Sequence, residues 1–217
     1  MIITSVITIN IMVYYNECYN KLLRLSMSTN ALQSKQAVIE AASTMLALHG
    51  LRGISIREVT KFANAPLGST YRNFPEGKQQ IVAEAVTWAG QQAAQQLKLC
   101  LEQSAHNGIQ LFLTQWHKRL ESNDYKLGCP ILAAAIEAPH EENAEQIKSA
   151  VSNVFKLWQD ILKDYLIVQN YSKQVATHLS ISIIAMVEGA VALCRGHQSI
   201  EPFDAIIQGI DTLLRVK

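Results

Sequence analysis

Between Gly50 and Lys78 the chain has room for only two short helices, and neither can stand alone. Ser55-Ile56-Arg57-Glu58 is a capping box, in which the Ser55 hydroxyl takes a free backbone donor while Glu58 reaches back. It starts a helix over Ser55–Phe62 carrying Ile56, Val59 and Phe62. Asn64 breaks that helix, and Pro66 suits the first turn of a second one running to Tyr71. Phe74-Pro75-Glu76-Gly77 then turns the chain. Helices this short are unstable by themselves, so both need a platform. Two long amphipathic stretches supply it. Ser34–His49 places Val38, Ala41, Ala42, Met45 and Leu46 on one face and stops at Gly50. Lys78 to about residue 101 carries Ile81, Ala85, Trp88 and Ala89 on one stripe.

Two short helices joined by a tight turn describe a helix-turn-helix, whose second helix enters a major groove while neighbouring residues fix the phosphates. The candidate nucleic-acid contacts are Ser55, Leu67, Gly68, Ser69, Thr70, Tyr71, Arg72, Asn73 and Lys78. Gly68 and Ser69 are small enough for close approach, and Thr70 either packs inward or meets a thymine methyl. Tyr71 and Lys78 are placed for phosphate, Lys78 at a helix N-terminus where the macrodipole favours an anion. Leu67, Ser69, Thr70 and Arg72 are the expected base readers. Phe74 reads as a core aromatic, and Tyr71 can pack in part while touching phosphate.

The rest of the chain continues in long apolar-periodic stretches. Helices are expected near Ile109–Asn123, Cys129–Ala138, Ala144–Leu166, Tyr171–Arg195 and Pro202–Val216. Only five Pro and ten Gly interrupt 217 residues, and no stretch alternates cleanly enough for a strand, so the fold class is all-α. Charge divides unevenly along the chain. From Met27 to Gln91, Lys35, Arg52, Arg57, Lys61, Arg72 and Lys78 outnumber Glu40, Glu58, Glu76 and Glu84, a net of +2. From Gln92 onward eleven bases face thirteen acids, a net of −2. A basic front on an acidic body suits a nucleic-acid module on a regulatory one, although ordinary surface scatter gives similar counts.

Enzyme chemistry finds no support. His140-Glu141-Glu142 lacks the second histidine of a zinc-protease helix, and Gly77-Lys78 lacks the earlier glycine of a phosphate loop. Neither Gly-x-Ser-x-Gly nor Gly-x-Gly-x-x-Gly occurs. Cys18, Cys100, Cys129 and Cys194 are scattered, with no Cys/His cluster at metal spacing, so the reading is a reduced, cytoplasmic protein without metal or cofactor. Met1 to Tyr15 is apolar and β-branched, but Asn10 interrupts it and it is shorter than a membrane span; residues 1–26 also lack a basic N-terminal run and a small-residue cleavage site. They are expected to be an unstructured or mis-called extension ahead of Met27, a reading preferred to a peripheral membrane anchor.

Three runs carry a family resemblance. They are Ile39-Glu40-Ala41-Ala42 with Leu46 and His49-Gly50, then Ile54 to Val59, then Gly68 to Lys78. Over about sixty residues they resemble the DNA-binding domain of the TetR family, whose Tyr-x-x-Phe followed by Gly-Lys is matched at Tyr71, Phe74, Gly77 and Lys78. Ala65-Pro66, Phe74 to Lys78 and Gly128-Cys129-Pro130 are similar to the LmrA/YxaF-like branch. Many relatives have Ala-Gly-Val where this chain has Asn64-Ala65, and many in the branch carry Lys where Leu67 stands.

The resemblance implies a three-helix DNA-binding domain over 32–78 and a helical ligand-binding and dimerisation domain over 79–217, connected by the helix over 78–101. It also implies that the last two long helices pair across a homodimer axis. Such a protein is a ligand-responsive repressor that binds a palindromic operator in double-stranded DNA and is released by a small-molecule inducer. The alternative is a helical small-molecule or partner-binding dimer that keeps the fold without operator binding. Ligand candidates are Phe112, Trp116, Cys129, Phe155, Trp158 and Met186, each of which could equally be plain core. Cys129, at a helix start, is either a reactive thiol of lowered pKa or a packing residue. Glu188, among apolar neighbours, could pair with Arg195, cross to a partner subunit or bind ligand.

Overall fold

The computed structural model describes residues 31–104 and 107–215, so the expectation for residues 1–26 lies outside the described residues. Among the described residues there are nine α-helices and no strand. In chain order they are α1 (Ala31–His49), α2 (Ile56–Phe62), α3 (Leu67–Asn73), α4 (Lys78–Gln103), α5 (Gly108–Ser122), α6 (Pro130–Glu137), α7 (Glu145–Val168), α8 (Lys173–His197) and α9 (Glu201–Arg215). A single 3₁₀ turn, Ala138–His140, follows α6 at Pro139. Helix ends differ from the sequence expectation by no more than three residues, within ordinary end fraying.

The breaks have local causes. Gly50 closes α1 at φ +73° and Asn64 turns the chain after α2 at φ +50°, both in the left-handed region where glycine and asparagine are at least cost. Ser55 caps α2 by accepting the Glu58 amide at 3.2 Å. The expected apolar stripe of α1 is buried throughout and packs with Val59, Phe74, Ile81, Val82 and Ala85 into the head's core. Phe74, fully enclosed, is the plug: complete burial of such a side chain is worth about 1.5–3 kcal/mol. Lys35 lies 5.2 Å from its ring centroid and pairs with Glu84 at 2.9 Å, covering the plug from solvent.

α4 runs from the head into the body, where its main partner is α7. Gly90 makes that approach possible, since a Cβ there would overlap both methyl groups of Val154. The Trp158 indole N–H donates to the Gly90 carbonyl at 2.9 Å across the same contact. α5, α7 and α8 then surround an apolar interior, and Phe203 and Ile210 bury α9 against its neighbours.

Head and body are joined by more than α4. The Gly128 amide donates to the Ala47 carbonyl at 2.9 Å, Arg195 of α8 donates to the Leu48 carbonyl at 3.4 Å, and the Arg52 amide donates to Glu137 at 3.0 Å. Below them Gln79 donates to the Glu142 carbonyl at 3.0 Å, and Gln146 donates to Glu76. Two of these contacts use the last carbonyls of α1, the groups a helix leaves without internal partners.

Candidate nucleic-acid interface and ligand cavity

α2 and α3 meet through the Asn64 turn and share one carbonyl as their hub. The Pro66 carbonyl accepts the amides of Ser69 and Thr70, both at 3.1 Å, and the hydroxyls of the same residues at 2.7 and 3.2 Å. This arrangement decides which way α3 faces. Thr70 is 1% exposed and belongs to the head's interior, so the expectation that it reads bases is corrected. A seven-residue helix shows one side to its own core, and Thr70 is on that side. Ser69 is half-buried, with its hydroxyl also 3.4 Å from that of Ser34 in α1. Asn73 is likewise turned in, its amide nitrogen buried and unpaired.

The outward face holds Leu67 at 39% exposure, Gly68 with open space around it, Tyr71 at 50% and Arg72. Ser55 is exposed but its hydroxyl is engaged as the cap. α2 adds Arg57 and Lys61, one turn apart and both exposed, which are absent from the candidates read from sequence. Their i, i+4 spacing was the available signal. Among the described residues no carboxylate forms an ion pair with Arg57, Lys61 or Arg72. Lys78 differs. Its ammonium lies 3.4 Å from Glu141, beyond the 3₁₀ turn, and both side chains are about a quarter exposed.

The chain's relatives share this plan. Residues 105–208 match the family model for the C-terminal domain of LmrA/YxaF-like transcriptional regulators. The HTH-type regulator LmrA of Bacillus subtilis is 27% identical over 184 residues, covering 84% of this chain and 97% of its own length. YxaF of the same organism is 26% identical over 191 residues, covering 87% of this chain and 99% of its own. Over 105–208 the chain carries the C-terminal domain of the LmrA/YxaF-like transcriptional regulators, and along most of its length it is similar to HTH-type regulators of that branch. The fold agrees: a TetR regulator from Legionella pneumophila superposes with a TM-score of 0.75 at 20% identity, covering 87% of this chain and 98% of that one.

The body holds a cavity of about 40 Å³ between α4, α5, α7 and α8. Its wall is Ala93 and Leu97 of α4, Ile109, Phe112, Leu113 and Trp116 of α5, Trp158 and Leu162 of α7, and Ile183, Ile184, Val187 and Glu188 of α8. Of the six residues expected from sequence, Phe112, Trp116 and Trp158 line it; Cys129, Phe155 and Met186 do not. Phe155 packs edge-on against Trp158 with ring centroids 5.7 Å apart, one layer out, and the Met186 methyl lies over Gly209 of α9. The remaining wall residues are branched aliphatics, which in sequence cannot be told from core.

Glu188 is the sole charged residue of the wall. It is 6% exposed, and burial raises its carboxyl from 4.5 to about 7, against the opposing pull of a hydrogen bond from Cys129 and the charge of Arg119. Arg195, the partner considered from sequence, is directed instead to Leu48 and packs over Gly128. Cys129 caps α6, accepting the Leu132 amide at 3.5 Å. Burial and the neighbouring Glu188 raise its thiol well above 9, opposite to the lowering expected of a reactive helix-start cysteine. Cys129 therefore packs and holds Glu188.

Proposed function

We propose that this regulator is a ligand-responsive repressor, which binds a palindromic operator as a homodimer and leaves it when a small-molecule inducer enters the body. The observation that carries the reading is the solvent-facing set Arg57, Lys61, Tyr71 and Arg72, in which no cation is ion-paired to a carboxylate among the described residues, on a head hydrogen-bonded to the body at Gly128, Glu137, Gln146 and Arg195. In it α3 lies in the major groove, with Leu67, Gly68, Ser69 and Arg72 near base edges, while Ser55, Arg57, Lys61 and Tyr71 serve the backbone and Asn73, turned inward, does not. Lys78 exchanges Glu141 for a phosphate on binding.

The dimer uses α8 and α9, in a body taken as 79–217 below a head at 32–78. Ser182, Ala185, Gly189, Ala192 and Gly196 form an exposed line of small side chains along α8, with Ile181 and Leu193 beside it. α8 is also long and apolar enough to cross a membrane, with a mean hydropathy of 1.7 over its most apolar stretch. In this reading its bare apolar face meets a second copy in the cytoplasm.

The cavity couples ligand to DNA because it is too small. A void of about 150 Å³ accepts benzene, so even a one-ring ligand must move the walls, and three of the four wall helices, α4, α7 and α8, also hold the head. Ligand then favours the dimer whose heads are wrongly spaced, through differential affinity for two states.

The test is fluorescence anisotropy of the protein against DNA upstream of its own gene, at two salt concentrations, with the Tyr71→Ala/Lys78→Ala double variant alongside. Tight binding that weakens steeply with salt and is lost in the variant supports the repressor. No binding at low salt transfers the assignment to the alternative, a helical binding dimer that retains only the fold.

A further inference from the structure

One oxygen in the cavity has nothing to bond to. Glu188 Oε2 is buried without a hydrogen-bond partner, in a wall whose other eleven residues offer only apolar or aromatic surface. Cys129 hydrogen-bonds the carboxyl group, and the charge of Arg119, stacked 5.0 Å from the Trp116 ring, also acts on it. A buried acceptor left unpaired is costly, and an unpaired carboxylate more so. A hydrocarbon ligand would leave Oε2 as it is, and an anionic one would set like charges together. A ligand donor satisfies the oxygen, and a cationic donor also supplies the charge that a buried carboxylate lacks.

From this we infer that the cavity takes a compact apolar molecule bearing one protonated amine, with Glu188 Oε2 as its counter-charge. The inference rests on reading the cavity as the regulator's ligand site and adds the ligand's chemical class. Phe112, Trp116 and Trp158 hold its apolar part, and aromatic faces also favour a neighbouring cation. The titratable groups acting on Glu188 are Cys129 from α6 and Arg119 from α5, while α4 and α7 bring only apolar residues to the wall. Below neutral pH the ammonium must displace the Glu188 proton. Affinity for an amine therefore rises with pH, by about fiftyfold from pH 5 to 7 for a carboxyl titrating near 7, and levels off above that.

The test titrates the full chain, without DNA, with benzylamine, benzyl alcohol and benzoate at pH 5 to 8. Calorimetry and the fluorescence of Trp116 and Trp158 report binding, and Glu188→Gln is compared after its melting curve shows it folded. Benzylamine stays protonated throughout this range. The expected result at pH 8 is benzylamine binding at least tenfold more tightly than the alcohol (order of magnitude for a charge-assisted contact), with no binding of benzoate. The preference disappears in Glu188→Gln, and the pH rise is seen in the unaltered protein. Equal affinity for amine and alcohol overturns the inference. So does a flat pH profile, an undiminished preference in the variant, or no binding of any of the three. Ligand-free DNA binding, measured separately by anisotropy, separates the two readings: its loss removes the repressor and leaves the amine titration standing, whereas intact DNA binding with no amine preference removes only the counter-charge.

Discussion

Replacing Glu188 by glutamine should stabilise the protein, and only at higher pH. The carboxyl titrates near 7 when folded against an ordinary 4.5, because burial disfavours its charge. Below pH 4.5 it is protonated in both states and has no effect on the balance. Between 4.5 and 7 the unfolded chain gives up the proton first, so stability falls as pH rises. Above 7 the full penalty applies, about 3 kcal/mol at roughly 1.4 kcal/mol for each pH unit between the two values. Glutamine has the same shape and no charge to bury. The variant should therefore match the unaltered protein near pH 4.5 and exceed it by about 3 kcal/mol at pH 8, or roughly 6–12 °C in melting temperature for a domain of this size. Urea denaturation at half-unit pH steps, at fixed protomer concentration, measures both proteins. Every other titrating group contributes equally to the two, so their difference isolates residue 188. A difference that stays constant from pH 5 to 8 would refute the assignment of the cavity carboxylate as a buried, charge-poor group.

Three further outcomes are expected. Glu141→Gln frees Lys78 from its 3.4 Å partner and should raise DNA affinity by roughly two- to fivefold in anisotropy, the scale of a partly exposed ion pair; unchanged or weakened binding would remove Lys78 from the phosphate contacts. Gly90→Ala, which on an exposed helix gains about 1 kcal/mol, should instead cost about 1–3 kcal/mol by overlap with Val154, with part of the loss restored by Val154→Ala in denaturant melts. Gly189→Leu meets nothing within its own subunit, so the protomer should fold with unchanged or higher helicity while light scattering shows a monomer; a persisting dimer would move the interface away from α8.

What could be read in the sequence was whatever depends on near neighbours. Ser55 and Asn64 mark the ends of the short helix α2, and Gly77 the start of the long α4, because their caps and left-handed turns are settled within a few residues. The stripe from Val38 to Leu46 announces its own buried face. Thr70 illustrates where this stops: on a helix of two turns, a one-position rotation decides between core and groove, and the Pro66 carbonyl that pins it is recognisable only once folded. Lys78 was legible as a cation at a helix start but not as the partner of a carboxylate 63 residues away. Cys129 reverses for the same reason, since burial and Glu188 from α8 outweigh the helix N-terminus it caps. The cavity wall was partly visible through its aromatics. Its aliphatic members and the lone carboxylate acquire meaning only when four helices converge.

The fastening of α1 to the body bears on how such regulators can be recombined. An exchange of heads between relatives cut at Lys78 would leave the Gly128 amide, the Arg195 guanidinium and the Glu137 carboxylate facing a foreign loop in place of residues 47–52. A side chain at Gly128 would have to displace the Arg195 guanidinium, and one at Gly50 the Glu137 carboxylate, with a left-handed backbone strained besides. A chimera that moves a new DNA specificity onto this body should therefore transplant a discontinuous unit, the head together with the strip from Gly128 to Glu137, or keep residues 47–52 native and exchange only the outward positions of α2 and α3.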